Sequence, residues 1–159
     1  MVCKTIREIL VNAAQEFGTG DVVRYKVKKN EIGTKSYVQL KEDSESFSNV
    51  LQALGECGNH IALTGTTSYA WLVTYLGVVN SGSVAVPLDV LLPAEEMCEL
   101  MDRADVTVFV ADEIRADVIA IAKERCPKLK YVISMQKQES DENILSFQTL
   151  LEEHKGSFE

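Results

Sequence analysis

The chain has 159 residues, a length typical of one domain, and folding at that size buries roughly 70% of the surface of the extended chain. Hydrophobic residues make up 46% of the chain and charged residues 25%, which excludes a disordered or fibrous protein. The formal net charge of −8 disfavours a nucleic-acid-binding protein, because such proteins displace counterions with clustered Lys and Arg.

The sequence shows no signal for secretion or for a membrane span. Its first ten residues, MVCKTIREIL, have no apolar core behind a basic end. No apolar run reaches the roughly 18 residues that a spanning helix needs. We therefore predict a cytoplasmic protein with no transmembrane segment.

Cysteine and histidine positions argue against a metal centre. The cysteines are far apart, with no C-x-x-C pair, and the histidines are His60 and His154. We therefore expect no zinc site and no disulfide set. The cysteines are predicted to be small buried side chains in a reducing compartment: Cys3, Cys57, Cys98 and Cys126.

The first predicted element is a helix that begins at Thr5 and ends at Gly18. Thr5 and Glu8 fit the T-x-x-E pattern of a capping box, in which each side chain accepts a backbone N–H of the other residue. Apolar residues follow at helical spacing and predict the face that packs on the core: Ile6, Ile9, Leu10, Ala13 and Phe17.

The next stretch, DVVRYKVKKN, alternates apolar and basic residues, as a half-buried strand does. Val23, Tyr25 and Val27 are expected on its buried face. The turn NEIG at residues 30–33 and a second strand around residues 35–37 complete a predicted hairpin. The basic face is either an anion-binding patch or, as we favour, a row of lysines that discourages edge-to-edge aggregation.

A long amphipathic helix is predicted from Val38 to about Glu56, with Gly58 as its C-cap. The polar run KEDSES at residues 41–46 is expected on its solvent face. Five apolar residues mark the face that packs on the core: Leu40, Phe47, Val50, Leu51 and Leu54.

Three strand–helix units follow: HIALTG into SYAWLVTYLGVVNSG, SVAVPL into PAEEMCELMDRA, and VTVFVAD into DEIRADVIAIAKERC. LKYVISM is predicted as a further strand, residues 136–143 as a polar loop and FQTLLEEHK as a short helix. The alternation predicts an α/β fold with a mostly parallel, doubly wound sheet flanked by helices, preceded by the N-terminal helix and hairpin. Residues 1–159 are interpreted as a single α/β domain.

The helix predicted from Tyr69 to Asn80 is apolar on nearly every side, so we expect it to be covered all round. Its N-cap is assigned to Thr67 or Ser68, and Gly82 is predicted to terminate it.

The stretch ALTGTTSYAW at residues 62–71 resembles a phosphate-binding loop at first sight. A P-loop needs G-x-x-x-x-G-K-[ST], and GTTSYA has neither the second glycine nor the lysine. GVVNSGS at residues 77–83 has the glycine spacing, but Ser83 stands where the lysine must be. No G-x-G-x-x-G fingerprint occurs. We interpret the stretch as a strand-to-helix turn that holds no phosphate.

Candidate site residues are few. No G-x-S-x-G elbow occurs, and His60 at a strand start and His154 in the last helix indicate no triad. Asp89 and Asp112 follow predicted strands, at the edge where open α/β sheets build sites. Turn formation and helix capping explain both more simply, with Asp112 as the cap of the following helix. We assign no catalytic, cofactor-binding or metal-binding residue.

Ordered patterns carry a family resemblance. L-G-x-x-x-x-G-x-x-x-V-P-L matches residues 76–88, and P-x-E-x-x-x-x-L matches Pro93, Glu95 and Leu100. The run from His60 to Asp112 that contains them resembles the N-terminal segment of the AMP-forming acyl-CoA synthetase and adenylate-forming ligase superfamily, in particular its long-chain fatty acid CoA ligases. KSYVQLKEDSESFSNVLQALG resembles the family's earlier T-Y-x-E-L…A-x-x-L…G segment.

The resemblance implies a parent enzyme that joins a carboxylic acid, expected to be a fatty acid, to ATP with Mg, and then transfers the acyl group to coenzyme A. The family's [ST]-S-G-T-T-G-x-P-K-G loop, its Y-G-x-T-E motif, its ribose-binding Asp and its C-terminal lysine do not occur in residues 1–159. We therefore predict an N-terminal scaffold portion of the AMP-binding domain. It is expected to bind no cofactor, to be inactive alone and to have the remainder of the enzyme as its partner.

Two alternatives to this interpretation stay open. One is that the chain is a stand-alone doubly wound binding or regulatory module that uses Asp89 or Asp112. A truncated paralogue that binds a full-length synthetase is a third interpretation. The identity of the acid, the oligomeric state and the strand order are not predicted.

Overall fold

The computed structural model describes residues 3–28 and 31–159. In these ranges the elements are, in chain order, α1 (Ile6–Phe17), β1 (Asp21–Lys28), β2 (Glu31–Ser36), α2 (Tyr37–Ala53), β3 (His60–Thr64), α3 (Tyr69–Asn80), β4 (Val84–Leu88), α4 (Ala94–Arg103), β5 (Val106–Ala111), α5 (Ala116–Arg125), β6 (Tyr131–Ser134), β7 (Leu145–Ser146) and α6 (Phe147–Glu153). The sequence did not predict β7, because a strand of two residues is too short to show a period.

The main sheet is parallel, with the strand order β4-β3-β5-β6-β7. β1 and β2 form a separate antiparallel hairpin. The central strand β5 is buried along its whole length. The predicted α/β fold with a parallel sheet flanked by helices is confirmed, and the structure supplies the strand order.

Helices cover both faces of this sheet. On one face α1, α2, α3 and α6 pack against alternate strand residues such as Ile61 and Val108. On the other face α4 and α5 pack against the intervening residues, such as Ala62 and Phe109. Because both faces are covered, β3 and β5 appear in the sequence as continuous apolar runs rather than as alternating ones.

Part of the predicted hairpin turn belongs to a strand. β2 begins at Glu31, so the prediction of a turn is wrong for residues 31–33, which pair with β1. Lys29 and Asn30, also part of the predicted strand and turn, lie outside the described residues.

The burial of the hairpin also differs from the prediction. Tyr25 and Val27 are 42% and 47% exposed, and Val22 packs against the core instead. β1 pairs only with β2, so the face predicted to be buried has no layer over it.

The face that α1 presents to the core matches the prediction at Leu10 but differs at other positions. Leu10 and Ala14 are buried, whereas Ile6, Ile9 and Phe17 are 38%, 54% and 52% exposed. The helical period was therefore correct, but the buried face is displaced by one position around the helix.

The first two helices have different caps. Thr5 Oγ1 accepts from Glu8 N at 3.1 Å as predicted, but Glu8 Oε2 accepts from Lys4 N at 2.6 Å, so the capping box is only half formed. A complete capping box forms at α2, where Ser36 Oγ accepts from Gln39 N at 3.2 Å and Gln39 Oε1 accepts from Ser36 N at 2.9 Å.

The polar run at residues 41–46 is not the solvent face of α2. Ser44, Glu45 and Ser46 are buried, because α1, α3 and α6 all pack around this helix. The prediction was wrong here because small polar residues at a helix crossing have the same composition as a solvated face.

The glycines and serines at the helix ends mostly behave as predicted. Ser68 is the N-cap of α3, accepting from Trp71 N at 3.1 Å, and Gly82, with φ +74°, follows its C-terminus. The exception is α2: Gly55, with φ +73°, makes the turn after this helix, and Gly58 comes later.

α2 and α3 cross at close range at Gly77. A Cβ on Gly77 would lie 2.8 Å from both Phe47 Cβ and Ser44 O. Ser48 Oγ donates to Gly77 O at 2.9 Å, and Asn80 Nδ2 donates to Ser48 Oγ at 3.0 Å. No residue of α3 is exposed, but only five of its twelve residues are buried, so the prediction that this helix is covered all round is confirmed only in part.

A buried carboxylate ties the end of α2 to the sheet. Glu56 is 1% exposed; its Oε1 accepts from Lys130 Nζ and its Oε2 from Asn59 Nδ2, both at 2.8 Å. Burial alone would raise the pKa of Glu56, but the hydrogen bonds from Lys130 and Asn59 outweigh burial and hold the pKa below its ordinary value of 4.5.

The cysteines follow the prediction only in part. All are free; Cys98 and Cys126 are buried, Cys3 is half-buried and Cys57 is exposed. The prediction is wrong for Cys57 because it lies in the short turn between α2 and β3, which faces solvent.

The substitution Gly77→Ala tests the close crossing of the two helices. At an exposed helix site this change stabilises a protein by roughly 1 kcal/mol. Here the added methyl would force α2 and α3 apart, so we expect the free energy of unfolding to fall by about 1–3 kcal/mol in urea denaturation. An unchanged or increased free energy would contradict the packing.

The substitution Glu56→Gln tests the buried carboxylate. The amide places a donor against Lys130 or Asn59, so we expect a loss of about 1–3 kcal/mol in the free energy of unfolding at pH 7. The matched control is Glu99→Gln, which removes the exposed pair with Arg103 and is expected to cost about 0.5 kcal/mol or less. Equal losses at both positions would exclude a special role for Glu56.

The pH dependence of the same variant follows from the lowered pKa of Glu56. A carboxyl with a lowered folded-state pKa stabilises the protein above its ordinary value of 4.5, and this contribution is lost as the pH falls through the folded-state pKa. The stability difference between wild type and Glu56→Gln should therefore shrink in acid. A difference that stays constant from neutral pH into that range would show that Glu56 does not titrate as proposed.

Candidate functional site

The strand order places a topological switch point between β3 and β5. The chain leaves β3 for α3 on one face of the sheet and leaves β5 for α5 on the other face. Open α/β sheets bind ligands in the crevice that forms at the carboxyl ends of such strands. The candidate site is therefore the β3–α3 turn, residues 65–68, together with the residues that follow β5.

Asp112 occupies this crevice. Its Oδ2 accepts from Thr66 N at 2.8 Å and from Thr66 Oγ1 at 3.0 Å, and its Oδ1 accepts from Glu113 N at 2.7 Å. The prediction that Asp112 caps the following helix is wrong, because α5 begins at Ala116 with Arg115 at the N-cap position. Asp112 instead joins the ends of two neighbouring strands.

Gly65 makes room for this carboxylate. A Cβ on Gly65 would lie 2.6 Å from Asp112 Cγ, and Gly65 has φ +145°, a conformation that other residues rarely adopt. The glycine in TGTTSY is therefore needed because a side chain at this position would clash with the carboxylate of Asp112. The N–H group and hydroxyl of Thr66 already bind an anionic oxygen of the chain itself, which supports the interpretation that the turn holds no phosphate.

The space beside Asp112 is small. A cavity of about 110 Å³ opens there, with Met97 and Phe109 among its apolar lining residues. Thr64 also lines it; this threonine is 4% exposed and its hydroxyl has no hydrogen-bond partner among the described residues. Small-molecule sites usually measure about 300–1,000 Å³, so a nucleotide does not fit this cavity.

Asp89 lies apart from the switch point. It follows β4, which pairs with β3 on the side away from β5. Its Oδ1 accepts from Leu91 N at 2.9 Å, the geometry of a side-chain turn, as predicted.

Arg115 is a residue of this edge that the sequence did not single out. Its Nη1 donates to Leu92 O at 2.8 Å, and its Nε and Nη2 donate to the two carboxylate oxygens of Asp117. The side-chain hydrogen bond to Asp117 raises the pKa of Arg115. Arg115 thus connects the loop after β4 to the start of α5.

A larger cavity, about 420 Å³, opens at the same edge on the other face of the sheet; we call it the α6 cavity. Its floor is apolar and consists of Ala70, Met135, Phe147 and Leu151. Charged residues at its wall are Lys35, Asp43, Glu152 and Lys155. Sequence analysis missed it because these residues come from separate elements.

Tyr69 links the wall of the α6 cavity to α3. Its hydroxyl donates to Asp43 Oδ2 at 2.7 Å, and Lys35 Nζ lies 4.8 Å from the centroid of its ring. Burial raises the pKa of Tyr69, and the hydrogen bond to the Asp43 carboxylate raises it further.

The two histidines do not assemble a catalytic or metal site. His60 Nδ1 contacts Ala104 O, and His154 Nδ1 lies 2.9 Å from Leu150 O. Within residues 3–28 and 31–159 no three His, Cys, Asp or Glu residues come together as a metal-binding group.

A double-mutant cycle tests the contact between Gly65 and Asp112. Asp112→Ala is expected to lower the free energy of unfolding by about 1–3 kcal/mol, because it removes the acceptor for Thr66 and Glu113. Gly65→Ala should cost less in the Asp112→Ala background, where the clash is gone, with a coupling energy of about 0.5–3 kcal/mol. Urea denaturation of the four proteins gives this energy.

Asp89→Ala serves as the control for this cycle, since it removes one turn hydrogen bond without touching the switch point. Its effect should be additive with that of Gly65→Ala. Additive effects for Gly65 and Asp112 as well would refute the contact.

The fold is that of adenylate-forming CoA ligases. The anthranilate CoA ligase AuaEII, solved in complex with anthranoyl-AMP, superposes with a TM-score of 0.81 at 18% identity, covering 98% of this chain and 28% of that chain. A benzoate CoA ligase from Burkholderia xenovorans LB400 gives a TM-score of 0.76 at 18% identity, covering 98% of this chain and 29% of that chain.

Sequence similarity extends to a curated relative. The D-alanine–D-alanyl carrier protein ligase of Listeria monocytogenes is 32% identical over 100 residues, which is 61% of this chain and 19% of that protein. The chain thus spans about one fifth of the length of this relative.

The match to a protein family covers most of the chain. Residues 11–155 match the family described as AMP-binding enzyme. The chain therefore belongs to the AMP-binding enzyme family, which includes the adenylate-forming ligases.

Proposed function

We propose that the chain is the N-terminal scaffold portion of a ligase that activates a carboxylic acid as its adenylate and transfers the acyl group to a thiol. Membership of the AMP-binding family and the shared fold support this proposal. The observation that carries the scaffold role is the carboxylate of Asp112, which accepts from the N–H and the hydroxyl of Thr66 in the β3–α3 turn.

The residues of the β3–α3 turn do not fit ATP or Mg. Stabilising the charge that develops on an α-phosphate needs pre-placed N–H donors and a cation, whereas the N–H and hydroxyl of Thr66 in this turn donate to Asp112 and residues 65–68 contain no lysine. We propose that ATP, Mg and coenzyme A are bound by other parts of the full-length enzyme. The remainder of that enzyme is the partner of this chain.

The acid substrate is a small carboxylic acid in this proposal, and a fatty acid stays a prediction. The similar proteins are named for D-alanine, anthranilate and benzoate. No helix in residues 3–28 and 31–159 is long and apolar enough to cross a lipid bilayer. A cytoplasmic location and a single domain over residues 1–159 also stay predictions.

An acid-dependent ATP–pyrophosphate exchange assay tests the proposal. In the presence of Mg, the full-length protein should incorporate labelled pyrophosphate into ATP with one acid of a panel. The panel contains a fatty acid, benzoate, anthranilate and D-alanine. Residues 1–159 alone should show no exchange with any of them, because the chain does not supply the donors and cation. Robust turnover by the isolated chain would refute the scaffold role, and a full-length protein that shows no exchange with any acid of a panel widened to further aliphatic, aromatic and amino acids would refute the ligase assignment.

A further inference from the structure

The α6 cavity has the size and location of a small-molecule site. Its volume of about 420 Å³ falls in the usual range of roughly 300–1,000 Å³. It lies at the carboxyl edge of the sheet, beside residues that follow β3, β6 and β7, where open α/β sheets bind ligands. The family comparisons do not assign it a role.

Lys35 and Asp43 supply one cation and one anion to the lining of the α6 cavity, and the two side chains do not form a hydrogen bond with each other. Lys35 Nζ lies 4.0 Å from Asp43 Oδ2, which is longer than a hydrogen bond, so this pair does not use the donors of Lys35. Asp43 Oδ2 takes the hydroxyl of Tyr69, which leaves Oδ1 as an acceptor. Lys35 and Asp43 are about 30% exposed, so a ligand in the cavity can reach both.

Lys155 and Glu152 supply a second cation and a second anion to the lining of the α6 cavity. Lys155 Nζ donates to Glu152 Oε2 at 2.5 Å, and Gln148 Nε2 donates to Glu152 Oε1 at 3.1 Å. The cavity is therefore lined by two cations and two anions above an apolar floor. A ligand with only a carboxylate would face two protein carboxylates, and a ligand with only an amine would face two lysines.

We propose that the α6 cavity binds a small zwitterion with an apolar side chain, of the α-amino acid class, with its carboxylate on Lys35 and its ammonium on Asp43. The side chain of the ligand packs on the floor formed by Ala70, Met135, Phe147 and Leu151. This site is separate from the adenylation chemistry proposed above, and its test needs neither ATP nor Mg.

Nitrogen-15 NMR titration of the whole 159-residue chain tests the site with leucine as the probe. Two analogues each keep one charge: 4-methylpentanoate has only the carboxylate, and 3-methylbutylamine has only the ammonium. We expect leucine to bind with a Kd of about 1–10 mM and each analogue to bind at least about tenfold more weakly. The shifted amides should belong to residues around Lys35, Asp43 and Tyr69.

Three variants locate the ligand. Lys35→Met and Asp43→Asn should each weaken leucine binding about tenfold or more, and Asp43→Asn keeps an oxygen for Tyr69 if Lys35→Met fails to fold. The control Lys128→Met removes an exposed lysine that pairs with Asp105 and does not line the cavity, so binding should not change.

Several results would overturn the site. One is the absence of leucine-induced amide shifts up to about 50 mM, well above the expected Kd. Another is equal binding by an analogue that carries only one charge. The third is unchanged leucine binding by the folded Asp43→Asn protein. None of them bears on the ligase assignment, which depends on the exchange assay with the full-length enzyme.

Discussion

The carboxyl edge of this sheet depends on the close crossing of α2 and α3 at Gly77. The backbones approach so closely that the carbonyl of Gly77 accepts from Ser48 and no side chain fits between Gly77 and Phe47. This contact fixes α3 against the sheet, and the N-terminus of α3 carries Ser68 and Tyr69. Both the switch-point crevice and the α6 cavity are therefore positioned by one helix crossing that lies deep in the core.

The two faces of the same sheet edge have opposite properties. On the α4–α5 face the N–H and hydroxyl of Thr66 are satisfied by Asp112 and the remaining space is small. On the α2–α3 face, by contrast, the charges of Lys35 and Asp43 remain apart and the space is larger. A sheet that is wound on both faces can thus have one closed and one open side, because the loops on each face are built from different residues.

Much of the fold was predictable, because it follows from local patterns. The apolar runs of β3 and β5 indicated strands covered on both faces, and the structure agrees. The apolar sequence of α3 indicated a helix covered on all sides, and this helix has no exposed residue but is half-buried at most of its positions. The candidate site was less predictable. Asp112 and Thr66 are 46 residues apart in the chain, and their contact depends on the strand order, which a single sequence does not show.

The differences between prediction and structure at α2 also arise from packing between elements that are distant in the sequence. The S-x-x-Q pattern at Ser36 was a local signal that could have located the start of α2. The burial of Ser44–Ser46 had no such signal, because the reason for it is the close approach of α3. Local sequence therefore predicts which elements form, whereas the packing partners decide which of their faces are buried.

The contact between Gly65 and Asp112 also constrains how this segment can change during evolution. A side chain at position 65 would occupy the space of the Asp112 carboxylate, so a larger residue at position 65 requires a shorter one at position 112. A shorter residue at position 112, in turn, would release the N–H and hydroxyl groups of Thr66 towards solvent. The two positions therefore form a coupled pair, and because the φ of +145° at Gly65 also disfavours any side chain, a substitution at position 65 stays unfavourable even beside a shorter residue at position 112.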